Sequence, residues 1–283
     1  MSLLHEFTSG KISPEAGLNA SERFSVFYHN LFEYPLTFSE LVKWTPRGAP
    51  ETGSRVDYKN GYYFIEGKEG LVYKRTVRKR FSLRKRKIAE RVSKITFFIP
   101  GVKMVAISGS LAMDNAGKES DIDLIFITKK GRLWTTRIAV YMLLKLFNFR
   151  LRKPLNLRQK DRLCLNIWLD ESDLTWSKKE RNFYTAHEIL QIVPLVDRGG
   201  VYERFLSSNK WALKFWPNAA EVRLNKNSSS YTKPLRLNII ETLSFKIQYF
   251  YMKHKITREV VTPTRAIFHP NNLSKKILSK IDY

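Results

Sequence analysis

An α+β fold is what the sequence predicts, and three observations predict it. Between Val102 and Asp170, three short apolar runs alternate with turns and one long apolar helical stretch, the patterning of a sheet flanked by helices. Ahead of them stand two segments with helix-start signals and a strand-like stretch punctuated by glycines. Beyond Trp176, apolar and aromatic side chains recur at three- and four-residue intervals, as on amphipathic helices. The expected organisation is an N-terminal helix-and-hairpin segment over residues 1–75, a mixed-sheet core over 76–175 and a helical C-terminal domain over 176–283.

The 283 residues suffice for two or three compact units. With 43% hydrophobic and 13% aromatic residues against 27% charged, the composition is that of a folded chain rather than a disordered one. Cys164 is the single cysteine, so no intramolecular disulfide can form and a reducing compartment is expected. The first residues, MSLLHEFTSGKISPEAG, lack the basic start and apolar stretch of a signal peptide. The most apolar window, LWTTRIAVYMLLKLFNF, is interrupted by Arg137 and Lys145 and reads as a buried helix. A cytoplasmic protein with no membrane span is the expectation. Fifty Lys and Arg against 26 Asp and Glu leave a formal net charge of +24, which implies a polyanionic partner, nucleic acid first.

In chain order, Ser21 is positioned to cap a first helix, and Thr37 with Glu40 forms a capping-box pattern for a second. Tyr34 and Pro35 separate them. GYYFIEGKEGLVYKR reads as two strands around a turn at Gly67 to Gly70, which completes the plan of a winged helix. PRGAPETGSRVDYK, where a recognition helix would lie, has little helical character, and a docking module without nucleic acid is the alternative. Residues 74–94 hold eleven basic side chains and one acidic, with Ser82 a candidate cap. Ile88, Val92, Ile95 and Ile99 form an apolar stripe, beside which Arg80, Arg84, Lys87, Arg91 and Lys94 make a row of cations expected to contact phosphate or nucleic acid. VKMVAIS, DIDLIFIT and RLCLNIWLD are the core strands, with a helix from about Leu133 to Phe149 between the last two. Ser228 to Ser230 with Thr232 and Pro234 mark a loop between C-terminal helices.

GSLAMDNAGKESDIDLIFIT carries the chemistry. Strand alternation puts Asp121 and Asp123 on one face, where two carboxylates repel unless a cation lies between them. Oxygen ligands without His or Cys select Mg²⁺ or Mn²⁺. Upstream, Gly109 and Ser110 end a strand and offer backbone amides and a hydroxyl to phosphate oxygens. A capped strand end with solvated carboxylates is the bland alternative.

The stretch resembles the signature of the DNA polymerase beta-like nucleotidyltransferases, G-S-x-A-R-G-x-A-x-x-x-S-D-I-D-L in their minimal and antibiotic-modifying branches. Gly109, Ser110, Ala112, Ala116, Ser120, Asp121, Ile122, Asp123 and Leu124 match in type and spacing, while Met113 and Asp114 stand where that branch often has Arg and Gly. The resemblance implies an enzyme using nucleoside triphosphate and Mg²⁺ or Mn²⁺, with Asp121 and Asp123 on the ions and Gly109, Ser110 and Ser120 on the nucleotide. It also implies a third carboxylate on a later strand. Mid-strand in CLNIWLDESD stands Asn166, a neutral amide; Asp170 shares its parity and is preferred over Asp173. The implied reaction moves a nucleoside monophosphate to a hydroxyl, on RNA or DNA given the basicity. The alternatives are a nucleotide-binding regulator without turnover and a transferase that modifies a protein partner.

Other constellations carry less. HEILQ at His187 begins like a zinc-protease helix, but position 191 is Gln, so zinc is not expected. No reactive role follows for Cys164, and His269 with Pro270 fits a turn as well as a cleft. The aromatics of FKIQYFYMKHK fit a helical core better than a base-stacking platform.

Overall fold

The computed structural model of the chain describes residues 17–152, 159–220, 238–256, 259–268 and 273–281. The leader, the Ser228–Ser230 loop and the His269–Pro270 pair lie outside the described residues. The chain divides into two compact units, Met1–Thr76 with Leu213–Ala219, and Val77–Ala212 with Ala220–Tyr283.

In the first unit, helix α1 (Ala20–Asn30) is capped by Asn19, which exchanges hydrogen bonds with Glu22. Ser21, the expected cap, is already inside the helix, because Asn19 sits three residues before a glutamate and satisfies two orphan amides at once. Helix α2 (Phe38–Lys43) carries the expected Thr37 and Glu40 box. Strands β1 (Val56–Lys59) and β2 (Tyr62–Ile65) pair antiparallel. Their turn is Asn60–Gly61, both at positive φ, the pair a tight hairpin demands. The turn expected at Gly67 to Gly70 is therefore displaced, and LVYKR is the first part of the long helix α3 (Gly70–Thr96). Among the described residues no helix lies between α2 and β1, so the recognition helix of a winged helix has no counterpart there.

This unit closes over Phe24, Tyr28, Leu36, Leu41, Trp44, Phe64 and Trp216. The Trp216 ring lies 5.0 Å from that of Tyr28 and 5.8 Å from that of Trp44. The Leu213–Ala219 piece, expected in the C-terminal domain, belongs to this core. Burial lowers the His29 pKa to about 4, against a hydrogen bond between its Nδ1 and the Ser25 carbonyl. Burial alone would raise the Glu40 carboxyl, but hydrogen bonds from Arg75, at 2.6 Å, and from Tyr34 hold it at about 2.

The second unit is built on a six-stranded sheet of order β6-β3-β4-β5-β8-β7. Its strands are β3 (Val102–Ile107), β4 (Ile122–Thr128), β5 (Leu163–Asp170), β6 (Val193–Asp197), β7 (Val260–Thr262) and β8 (Arg265–Ile267). Strands β4 and β5 run parallel; the other neighbours in this sheet are antiparallel. Three of the strands come from beyond Trp176, so the C-terminal region is not the purely helical domain expected. Pro194 interrupts the β-pattern of β6, and β7 and β8 are three residues each, too short for a periodicity signal.

Helices α4 (Gly109–Ala112, a single turn), α5 (Leu133–Leu146), α6 (Phe183–Leu190), α7 (Val201–Ser208), α8 (Ile239–Met252) and α9 (Leu273–Ile281) complete the unit. Ala89 and Val92 of α3 pack with Leu124 and Phe126 of β4, Trp168 of β5, and Trp134 and Leu144 of α5 in one apolar cluster. Phe126 and Trp168 stack at 4.4 Å. Glu241, fully buried, supplies the cap that α5 lacks in its own sequence: its carboxylate accepts from the amides of Trp134 at 2.6 Å and Thr135 at 3.0 Å. Among the described residues no helix is long and apolar enough to cross a membrane.

Candidate active site

The site is assembled at one end of the sheet, where β3 stops and β4 begins. The amide of Ser108 donates to the Asp123 carbonyl at 3.1 Å, holding the strand ends together. Gly109 follows at φ +60°, and a Cβ there would stand 3.0 Å from Asp123 Oδ2. Glycine is needed twice over, for the left-handed backbone and for the close approach of the carboxylate. The Asn115 amide donates to the Ser110 carbonyl at 2.8 Å and closes the turn, leaving Ser110 exposed at the corner. Asp114 has φ +52° and accepts from Arg86 at 2.8 Å. The signature that this stretch resembles often has Gly at this position, and the positive φ fits that preference; Asp tolerates it here with the added ion pair.

Asp121 and Asp123 do share a site. Their ligand atoms and that of Cys164 lie within 4.8 Å of one another, the carboxylates partly buried and the thiol buried. Arg152 donates to Asp121 at 3.0 Å and to the Cys164 sulfur at 3.3 Å. Burial and then the charge of Asp121 push the Asp123 carboxyl up to about 7, against a hydrogen bond from Cys164 and the charge of Arg152. Burial raises the Cys164 thiol pKa, so the absence of a reactive thiol expected from the sequence agrees with its surroundings.

A β-bulge decides which β5 residues reach the pair. Asp123 pairs with Cys164 but Ile125 pairs with Ile167, so β5 carries one extra residue between them. Cys164 and Asn166 are both turned toward Asp123, and Asn166 Nδ2 donates to Asp123 Oδ1 at 3.2 Å. Asn166 is 7% exposed, and its Oδ1 has no hydrogen-bond partner among the described residues. Asn166, not a carboxylate, occupies the slot beside the pair.

The same bulge removes Asp170. Beyond it the parity of β5 is reversed, and Asp170 lies opposite Thr128, on the face of Phe126 rather than that of Asp123. It is five β4 positions along from Asp123, on the order of 16 Å by strand rise. Its carboxylate is spent on the amides of Gly131 and Ser172. Asp173 is likewise engaged, by Arg265 at 2.7 Å and Thr264 at 2.8 Å. The Ser120 hydroxyl donates to the Gly117 carbonyl at 2.8 Å within its own loop.

The basic stretch separates into two environments. Arg80, Arg84, Lys87, Arg91 and Lys94 are all exposed, as the row predicted. Lys85, which stands outside that row, is 1% exposed, and its ammonium donates to the Ser120 carbonyl at 2.7 Å and to Asp161 at 2.6 Å. Ser82 is no cap; it lies mid-helix, fully buried, and its hydroxyl accepts from the Ala116 amide at 3.0 Å. These two buried polar residues of α3 fix the loop that precedes Asp121, and nothing in a run of like charges singles them out.

Two residues of α6 were not singled out as site residues by the sequence. Tyr184 and Glu188 stand one helical turn apart on α6. Burial and then the charge of Asp123 push the Glu188 carboxyl up to about 7, while Gln191 donates to it at 2.6 Å. Burial, Glu188 and Asp123 together raise the Tyr184 phenol. The available signal is an acid inside the apolar helix FYTAHEIL, which a search for a second histidine passes over.

A pair of mutually repelling carboxylates, an orphaned amide oxygen and a glycine corner can hold a divalent cation beside a phosphate. Residues 85–190 match the family model described as a nucleotidyltransferase domain. No curated protein and no solved structure matches the chain significantly. The stretch from Lys85 to Leu190, which holds the Gly109 corner, both aspartates and helix α6, is a nucleotidyltransferase domain of the polymerase beta-like superfamily.

Proposed function

We propose that the protein transfers a nucleoside monophosphate from a nucleoside triphosphate to a hydroxyl of nucleic acid, RNA ahead of DNA. The observation that carries this is the meeting of Asp121 and Asp123 with the Gly109 corner, where a side chain as small as alanine would run into the Asp123 carboxylate. The residues fit a divalent cation, Mg²⁺ or Mn²⁺: the two carboxylates repel each other, and Asn166 Oδ1 is a buried acceptor without a donor among the described residues. Asp121 and Asp123 hold it, and Asn166 Oδ1 is available as a neutral third oxygen. When bound, the cation neutralises the triphosphate and polarises the phosphorus under attack. Gly109 leaves the corner amides open to phosphate oxygens, and Ser110 adds its exposed hydroxyl. Arg152, which neutralises Asp121 at 3.0 Å, competes with the cation for that carboxylate.

The nucleic-acid acceptor is supported by the net charge of +24 and by the exposed row Arg80, Arg84, Lys87, Arg91 and Lys94. One observation favours a second function, a nucleotide-binding regulator with little turnover: β5 presents Cys164 and Asn166 to the pair, and neither is a carboxylate. Incubation with labelled nucleoside triphosphates, Mg²⁺ and total tRNA separates the two. Label on RNA, lost in Asp123→Asn, is the expected result. Retention of nucleotide without transfer supports the regulator, and label on the protein itself or on an added protein supports modification of a protein hydroxyl.

A further inference from the structure

We infer that Glu188, on helix α6, is the general base that takes the proton from the acceptor hydroxyl. This rests on the transferase function proposed above and supplies the acid that β5 lacks. The topology places it. Val193, the first residue of β6, pairs with Ile107, the last of β3, immediately before the Gly109 corner. The chain leaves α6 at Leu190 and enters β6 three residues later, so the C-terminal turn of α6, with Glu188 in it, is delivered to the end of the sheet that carries Asp121 and Asp123.

The surroundings agree with that placement. Glu188 is itself half-buried, beside the buried residues Ala186, His187, Ile189 and Leu190 of the same helix. Its carboxyl responds to the charge of Asp123, and the Tyr184 phenol one turn earlier responds to both. Gln191 donates to Glu188 Oε1 at 2.6 Å and orients the carboxylate. Glu188 is not one of the three residues whose ligand atoms cluster within 4.8 Å, so the assigned base is distinct from that cluster.

In the step, the Glu188 carboxylate accepts the hydroxyl proton as the hydroxyl oxygen bonds to the α-phosphorus. The bond from that phosphorus to the bridging oxygen breaks, and pyrophosphate leaves with the electron pair.

The groups that bear on Glu188 are Asp123 from β4 and Tyr184 and Gln191, in and just after α6. Full-length wild type, Glu188→Gln and Glu188→Asp are compared by pyrophosphate release from MgATP with total tRNA between about pH 5.5 and 9, and by Mn²⁺·ATP binding. The expected result for Glu188→Gln is a fall in kcat of about 100-fold or more, with KM for ATP and Mn²⁺·ATP affinity unchanged. The rise of rate through neutral pH flattens in Glu188→Gln, and Glu188→Asp recovers part of kcat. An active Glu188→Gln with the wild-type profile overturns the assignment alone, as does a loss of Mn²⁺·ATP binding equal to the loss of rate. A wild type that binds Mn²⁺·ATP but releases no pyrophosphate overturns the transferase function and the base with it.

Discussion

At the scale of single residues, the site turns on small geometric facts around Asp123. Replacing Gly109 by Ala places a Cβ 3.0 Å from Asp123 Oδ2 at φ +60°. The backbone alone costs about 1–2 kcal/mol, so Gly109→Ala lowers the unfolding free energy by at least that amount in urea titration and weakens Mn²⁺ binding. Asn166→Asp is the converse test. It puts a third carboxylate beside the pair, so Mn²⁺ affinity rises in calorimetry while stability without metal falls, because one more negative charge enters a site already short of cations. The paired aspartates and the Gly109 corner were legible from spacing alone. The identity of the third residue was not: strand parity selected Asp170, and an extra residue in β5 reverses that parity halfway along. A bulge leaves no mark in the order of apolar and polar residues, so alternation counted across it points to the wrong face.

At the scale of elements, helix α3 sets one buried lysine apart from a row of exposed cations. Lys85 is buried against the Ser120 carbonyl and Asp161, on the loop that leads into Asp121. Lys85→Met leaves those acceptors without their donor and costs about 2–4 kcal/mol in chemical denaturation. Reversing two members of the exposed row, Arg84→Glu with Arg91→Glu, leaves stability near wild type. Binding to tRNA weakens, and its salt dependence becomes shallower by about one unit of slope for each phosphate no longer neutralised. Equal tRNA affinity at every salt concentration removes the row from the interface. The central strands and α5 were legible because each is long enough to show its period. The hairpin turn was misread because Gly67 and Gly70 resemble a turn as much as Asn60–Gly61 does, and only the helix that follows Gly70 distinguishes them.

At the scale of the whole molecule, the first unit carries its own response to pH. His29 keeps its imidazole neutral down to about 4 in the folded unit, whereas an unfolded histidine protonates near its ordinary value of 6.5. Glu40 is held at about 2 by Arg75 and Tyr34, below its ordinary 4.5. Both depressed values mean that unfolding takes up protons in acid. Stability of this unit therefore declines below pH 6.5 as His29 titrates, and again from 4.5 toward 2 as Glu40 does. Hydrogen exchange of residues 20–44 accelerates on going from about pH 7 to about pH 4, after correction for intrinsic rates, and His29→Phe reduces the first part of that change. Protection that stays constant over this range excludes the coupling. The return of Leu213–Ala219 to the first unit was beyond the sequence, since Trp216 lies among helix-patterned residues that carry no hint of the unit they join.

Trp216 also constrains the order in which the protein can be made. Its ring lies against Tyr28 and Trp44, yet about 170 amino acids are translated between Trp44 and it. The first unit thus leaves the ribosome with a vacancy in its aromatic centre and cannot finish folding until roughly three-quarters of the polypeptide has been synthesised. A nascent chain stalled before Leu213 should remain protease-sensitive over residues 20–65, and one stalled well beyond Ala219 should not.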